Sequence, residues 1–247
     1  MSKRALLIGI NYISSAANVL GGCWNDVACM GEYLKNKGFV NTTLTDEPKN
    51  KDTVSYPTKD NILAAIDHII AETKAGDICF FHFSGHGGQL PDRNADESDG
   101  LDECIFSCKL EVIIDDELRA HLVDKLVDGA ILRCVLDCCH SGTGMDLTFR
   151  FTPDSGLVRE NKINTSKNVI AVSGCLDNQT SADAYINKKY QGALTYHLLE
   201  ALKFQMTGWS YKDFIKVLQY SLHKNGYPQI PQLSTTLQGI GKLKLDM

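Results

Sequence analysis

Two short stretches hold residues that could do chemistry together. In FFHFSGHGGQ (residues 80–89) an aromatic run breaks into glycines around His86, and in DCCHSG (residues 137–142) an apolar run ends on a pair of cysteines. Glycines at a strand end permit tight turns and close approach of another molecule. A histidine held there is placed to move protons near neutral pH. Cys139 follows His86 by 53 positions. If the two runs are neighbouring parallel strands, an imidazole and a thiol meet beyond their carboxyl ends. The histidine can then take the thiol proton, and the thiolate can attack a carbonyl carbon. Backbone N–H groups near Gly87 and Cys139 are natural donors to the oxyanion that results.

The elements needed to hold this pair are visible in the hydrophobic pattern. Apolar runs at Ala5 to Ile10, Ile78 to Phe83, Ile131 to Leu136 and Val169 to Val172 read as buried strands. Between them lie stripes at helical spacing: Cys23, Val27, Met30 and Leu34; Ile62, Ile66, Ile69 and Ile70 behind a Thr58 N-cap; Leu118, Leu122 and Leu126 behind Asp115 or Asp116 as N-cap. Two more stripes, around Leu194 to Leu202 and Phe214 to Leu222, close the chain. Continuous apolar strands alternating with amphipathic helices predict an α/β fold, a three-layer α/β/α sandwich on a mostly parallel sheet. Ligands of such sheets bind beyond the carboxyl ends of the strands. The acid-rich segment from Pro91 to Glu103 and the polar segment 147–168 read as surface loops.

The bulk properties narrow the function. The 247 residues, 43% hydrophobic and 22% charged, suit one soluble domain, and a net charge of −5 argues against a generic nucleic-acid binder. No stretch approaches the roughly 20 apolar residues of a membrane span. The N-terminal ALLIGI is too short for a leader and reads as the first core strand. Nine cysteines, an odd number without framework spacing, point to a reducing, cytoplasmic setting.

SGHG (84–87) and DCCHSG, in this order and separation, resemble the catalytic motifs of metacaspases, cysteine peptidases of the caspase-like clan. The likeness continues through LGGCWND (20–26), DESDGLDE (96–103), IIDDEL (113–118) and SGCLDNQTSADA (173–184), so it spans nearly the whole chain. It resembles the type I arrangement without a prodomain. It implies a single caspase-like domain over 1–247: a p20-like part at 1–146, a connecting loop at 147–168 and a p10-like part at 169–247. By the resemblance His86 is the general base and Cys139, immediately before His-Ser-Gly, the nucleophile, with Cys138 a spectator. Gly87 and Cys139 supply the oxyanion donors.

Asp26 and Asp137 would face the same cleft, and a carboxylate at the end of an apolar strand is costly to bury without a partner. An arginine or lysine of a substrate would be one. Cys23 and Ser84 match the remaining positions of the family's S1 pocket, so cleavage after Arg or Lys is expected. Asp137 could instead simply cap a turn. The resemblance also makes Asp102, Asp115, Asp116 and Asp146 ligands of an activating Ca2+, oxygen donors that suit a hard cation. Asp146 lies seven residues after Cys139, so the ion could order the nucleophile's loop.

The expected partners are protein or peptide substrates with Arg or Lys at P1, without nucleic acid or membrane, and the chain is expected to be a monomer. Self-cleavage at Arg150, Arg159, Lys162 or Lys167 would fit a zymogen with this specificity. The alternatives are an inactive caspase-like scaffold, and a paracaspase-like, calcium-independent peptidase directed to Arg. A zinc cluster of Cys138, Cys139, His140, His82 and His86 lacks ligand spacing. His82, alternating with apolar neighbours, reads as a hydrogen-bonded core histidine.

Overall fold

The structure, a computed structural model, describes residues 1–91, 101–139, 145–152, 156–159, 165–174, 183–204, 208–240 and 243–245. In chain order the elements are β1 (Lys3–Gly9), α1 (Cys23–Asn36), β2 (Val40–Thr45), α2 (Lys59–Ala71), β3 (Ile78–Ser84), β4 (Gly87–Pro91), β5 (Leu101–Phe106), β6 (Val112–Ile114), α3 (Asp115–Arg119) and β7 (Ile131–Asp137). They continue with β8 (Phe149–Thr152), β9 (Gly156–Arg159), β10 (Asn168–Ser173), β11 (Asp183–Ile186), β12 (Lys189–Gly192), α4 (Ala193–Lys203), α5 (Tyr211–Lys224) and β13 (Gln232–Thr235).

Among the described residues the main sheet has eight strands in the order β2-β1-β3-β7-β10-β13-β8-β9. The first five run parallel, and β13, β8 and β9 are added antiparallel. Alternation along the central strands divides the core. Leu6, Ile8, Phe81 and Phe83 pack with α2 residues such as Ile62 and Ile66 on one face. Ala5, Leu7 and Phe80 pack with residues of α1, α4 and α5 on the other. This is the expected α/β sandwich: strands covered on both faces carry apolar side chains at every position.

The expected strands appear as β1, β3, β7 and β10, and Thr58 caps α2 by accepting a hydrogen bond from the Asn61 N–H at 3.3 Å. Three expectations need correction. Asp115 is the first helical residue of α3, with Ile114 at the N-cap, so neither Asp115 nor Asp116 is the cap. Segment 147–168 is not a plain loop: β8 and β9 form a hairpin that extends the sheet through β13. The acid-rich segment ends in strand, since Leu101, Asp102 and Glu103 belong to β5; its residues 92–100, and residues 175–182 of the SGCLDNQTSADA stretch, lie outside the described residues. The eight described cysteines form no disulfide. No helix among the described residues is long and apolar enough to cross a membrane.

Candidate active site

β3 and β7 are parallel neighbours, and their last register pair is Ser84 with Asp137. His86 and Cys139 each stand two residues farther on. The pairing continues past the strand ends, the Gly85 N–H donating to the Asp137 carbonyl at 3.3 Å. A Cβ at Gly87 would collide with the carbonyl oxygen of Cys139 and lie 3.1 Å from the Cys138 sulfur. Only a glycine lets the two loop backbones pack this closely. The two cysteines differ in setting: Cys138 is 2% exposed and packs into the α2-side core, whereas Cys139 is only partly buried.

The imidazole of His86 is held by the loop after β1. Its Nε2 lies 2.7 Å from the Asn18 carbonyl oxygen. A carbonyl only accepts, so Nε2 carries a proton, and in the neutral ring the lone pair is on Nδ1. The backbone N–H of His86 donates to the Tyr12 hydroxyl at 2.8 Å, and that hydroxyl donates to the Phe106 carbonyl at 2.9 Å. The rings of Tyr12 and His86 lie 4.5 Å apart between centroids. Burial pushes the Tyr12 phenol well above its usual range, so it stays protonated and can make both bonds. Tyr12 also sits at φ 54°, a left-handed conformation that a bulky residue adopts only where its surroundings enforce it.

Asp46 supplies that enforcement. Fully buried, it accepts from the N–H of Asn11 at 2.8 Å, the N–H of Ile13 at 3.1 Å and the indole N–H of Trp24 at 2.7 Å. Sequence reasoning missed this support. Asn18 acts through its main chain, which leaves no side-chain signature, and the only hint at Tyr12 was a polar ring directly after an apolar strand.

Asp26, Ser84 and Asp137 come together on the α1/α4 face and are buried; Cys23, also buried, is the first residue of α1 and donates its N–H to the Asn11 side-chain oxygen at 3.0 Å. The Ser84 hydroxyl donates to Asp26 at 2.7 Å. The Gly192 N–H donates to both Asp26 oxygens at 2.9 and 3.0 Å, and the Thr195 N–H donates to Asp137 at 2.8 Å. A Cβ at Gly192 would strike the carboxylates of both Asp137 and Asp26. The two acids therefore converge on one point, occupied here by the backbone entering α4. Below them His82 is fully buried, its Nε2 3.1 Å from the Thr195 hydroxyl and its Nδ1 without a hydrogen-bond partner. Burial lowers its pKa to about 3, so it is neutral.

Asp102, Asp115 and Asp146 are buried and Asp116 partly so. Asp115 accepts from the N–H groups of Glu103 and Asp116 at 2.9 and 3.0 Å. Its pKa is nonetheless pushed up to about 8, first by burial, then by the charge of Asp146, with a further contribution from Asp102. The guanidinium of Arg119 donates to the Asp146 carbonyl. The donors are the hard oxygens that Ca2+ takes, yet among the described residues no three side chains of His, Cys, Asp or Glu are gathered around one point as a metal site requires. Of the expected self-cleavage sites, Arg150 and Arg159 lie in β8 and β9, Lys167 pairs with Asp128 at 2.8 Å, and Lys162 lies outside the described residues, as does His140.

The family model described as "Metacaspase, peptidase C14 domain" matches residues 3–148. Metacaspase-1 of Schizosaccharomyces pombe is 33% identical, with 94% of this chain and 67% of that protein covered. Metacaspase-1 of Meyerozyma guilliermondii is 31% identical over 95% of this chain and 69% of its own length. Metacaspase-2 of Trypanosoma brucei brucei is 33% identical over 94% and 73%. Among solved structures, protein GSU0716 of Geobacter sulfurreducens superposes with a TM-score of 0.72 at 27% identity, over 99% of this chain and 98% of that one. The chain belongs to the metacaspase family and is a cysteine endopeptidase of the C14 type with a caspase-like fold.

Proposed function

We propose that the chain cleaves polypeptides after Arg or Lys with a Cys139–His86 pair, and that Ca2+ activates it. The observation that carries the reading is the β3/β7 register, which delivers His86 and Cys139 to adjacent strand ends, with Asn18 fixing the histidine tautomer. Nδ1 of His86 accepts the Cys139 thiol proton, and the thiolate sulfur bonds to the scissile carbonyl carbon. The oxyanion that forms is met by the N–H groups of Gly87 and Cys139. Collapse of this intermediate breaks the C–N bond, and Nδ1–H protonates the departing amine, leaving a thioester. A water gives its proton to Nδ1, adds to the thioester and releases the acid and the thiol.

Asp26 and Asp137, with Cys23 and Ser84, are the P1 receptor in this reading. A guanidinium or ammonium replaces the Gly192 N–H at Asp26 and the Thr195 N–H at Asp137 as the partner of the two carboxylates, so substrate entry requires the β12 end to move aside. In this reading the closed β12 end marks a latent form. Asp102, Asp115, Asp116 and Asp146 would hold Ca2+, which supplies the charge that balances them. The mutual repulsion around Asp115 supports this. Asp146 lies seven residues after Cys139, and this short link in sequence is the route from the ion to the nucleophile.

A second reading of the acid pair has its own support. Asp137 and Asp26 bind N–H groups at the start of α4 and could serve only to fix that helix. The experiment is hydrolysis of Arg, Lys and Asp peptidyl aminomethylcoumarins with Ca2+ or EGTA. Arg and Lys cleavage that needs Ca2+ and disappears in Cys139→Ala supports the proposal. Faster cleavage after Asp, or full activity in EGTA, contradicts it.

A further inference from the structure

A cavity of about 690 Å³, within the usual size range of ligand sites, opens on the α2 side of the catalytic edge. Ser14 and Ser15 form one wall, Tyr56 and Cys108 lie deeper, and Lys51 and Lys109 stand at its rim. The first wall is the reverse side of the loop that holds His86. Ser15 Oγ accepts from the Asn18 side-chain amide at 2.8 Å, and the Asn18 carbonyl accepts from His86. The other wall is tied to His86 as well. Phe106 accepts from Tyr12 and donates its N–H to the His86 carbonyl, and Cys108 and Lys109 follow two and three residues on. The acid pair lies on the opposite face of the sheet, against α1 and α4. His86 therefore stands between the acid pair and the cavity.

We infer that this cavity is a leaving-group-side subsite that takes an acidic side chain a few residues beyond the scissile bond. The inference rests on the reading above, in which P1 occupies the acid pair and His86 protonates the departing amine. A group protonated by His86 must leave past His86, and the chain that follows it runs toward the 12–18 loop and the cavity behind it. Extended peptide advances roughly 3.3 Å per residue, so the second to fourth residues after the cut lie roughly 7–13 Å beyond it, the span this subsite would serve. The charge there is suited to an acid. Neither lysine forms a salt bridge among the described residues, and Asp52 is the one acid lining the cavity. Val54, 82% exposed, and Leu110 add apolar edges against which the chain can lie.

The test uses two kinds of substrate with the full chain in Ca2+. Peptides identical through a P1 arginine carry Asp, Ala or Lys at the second to fourth positions after the cut. An arginyl aminomethylcoumarin amide of the same leading sequence has no residues there. Expected is a kcat/KM order of Asp, then Ala, then Lys, with roughly a tenfold spread, about 1.4 kcal/mol. In the Lys51→Glu/Lys109→Glu variant the order reverses, while coumarin release stays within twofold of wild type. An order unchanged by the variant, or no dependence on the leaving side, overturns the subsite while the coumarin activity leaves the parent reading standing. No coumarin release by wild type overturns both. Thermal melts of the variant matching wild type exclude misfolding as the cause.

Discussion

Two groups of buried carboxylates sit at this active edge, and they are stabilised in opposite ways. Asp26 and Asp137, 1% and 4% exposed, converge on the backbone entering α4 and accept hydrogen bonds from Gly192, Thr195 and Ser84. Asp102, Asp115 and Asp146 are equally buried but act on one another, so that Asp115 holds its proton up to about pH 8 despite two backbone donors. Burying a carboxylate is tolerable when donors converge on it and costly when the neighbour is another carboxylate. The first group thus has its donors supplied by the fold itself. In the second, two backbone donors do not offset the burial and the neighbouring charges at Asp115.

The largest effect that would break this comparison is expected at Asp137. Asp137→Ala leaves the buried Thr195 N–H without its acceptor, a destabilisation of about 1–3 kcal/mol. On the proposed function it also lowers kcat/KM for arginine substrates by on the order of 10²-fold or more, since one arm of a buried charge pair is gone. Gly192→Ala, whose Cβ strikes both acids, should do the same. A melt lowered by either variant with arginine cleavage intact would reduce the pair to a helix clamp.

A smaller effect of opposite sign is expected at the other group. Asp115→Asn removes the cost of holding protonated, in the fold, a carboxyl that ionises in the unfolded chain, so in EGTA the variant should melt above wild type, by up to a few degrees. Its melting temperature should then respond less to Ca2+. A lower melting point in EGTA together with an undiminished Ca2+ response would show that Asp115 is a structural acceptor only.

The smallest effect concerns His82 beneath the first group. Its folded pKa of about 3 lies below the unfolded value near 6.5, so only the unfolded chain gains a proton in that window. Stability contributed above pH 6.5 is therefore lost as pH falls toward 3. Between pH 7 and pH 5 wild type should lose up to about 2 kcal/mol more than His82→Gln, measured by urea unfolding. Equal losses would mean that His82 charges inside the fold.

The parts of this arrangement differ in how well the sequence reveals them. β1, β3, β7 and β10 are covered on both faces, so nearly every residue is apolar and each run stands out, as do the glycine corner at His86 and the cysteine pair. β2 reads VNTTLT because an edge strand faces solvent along most of its length, and it offers no such run. β8 and β9 took the appearance of a loop because FRFT gains its order from pairing with β13, a contact distant in sequence, and GLVR from pairing with FRFT in turn. The groups that hold His86 are a main-chain carbonyl and a strained tyrosine, and Gly192 matters for the side chain it lacks. Composition and periodicity carry none of these.

The central claim is that Cys139, activated by His86, is the nucleophile. Mass spectrometry of the protein treated with an arginyl chloromethylketone in Ca2+ tests it directly. The account requires a single adduct on Cys139 that forms on the order of 10²-fold more slowly in His86→Ala. An adduct on Cys138, or an equal rate of Cys139 labelling without His86, would contradict it.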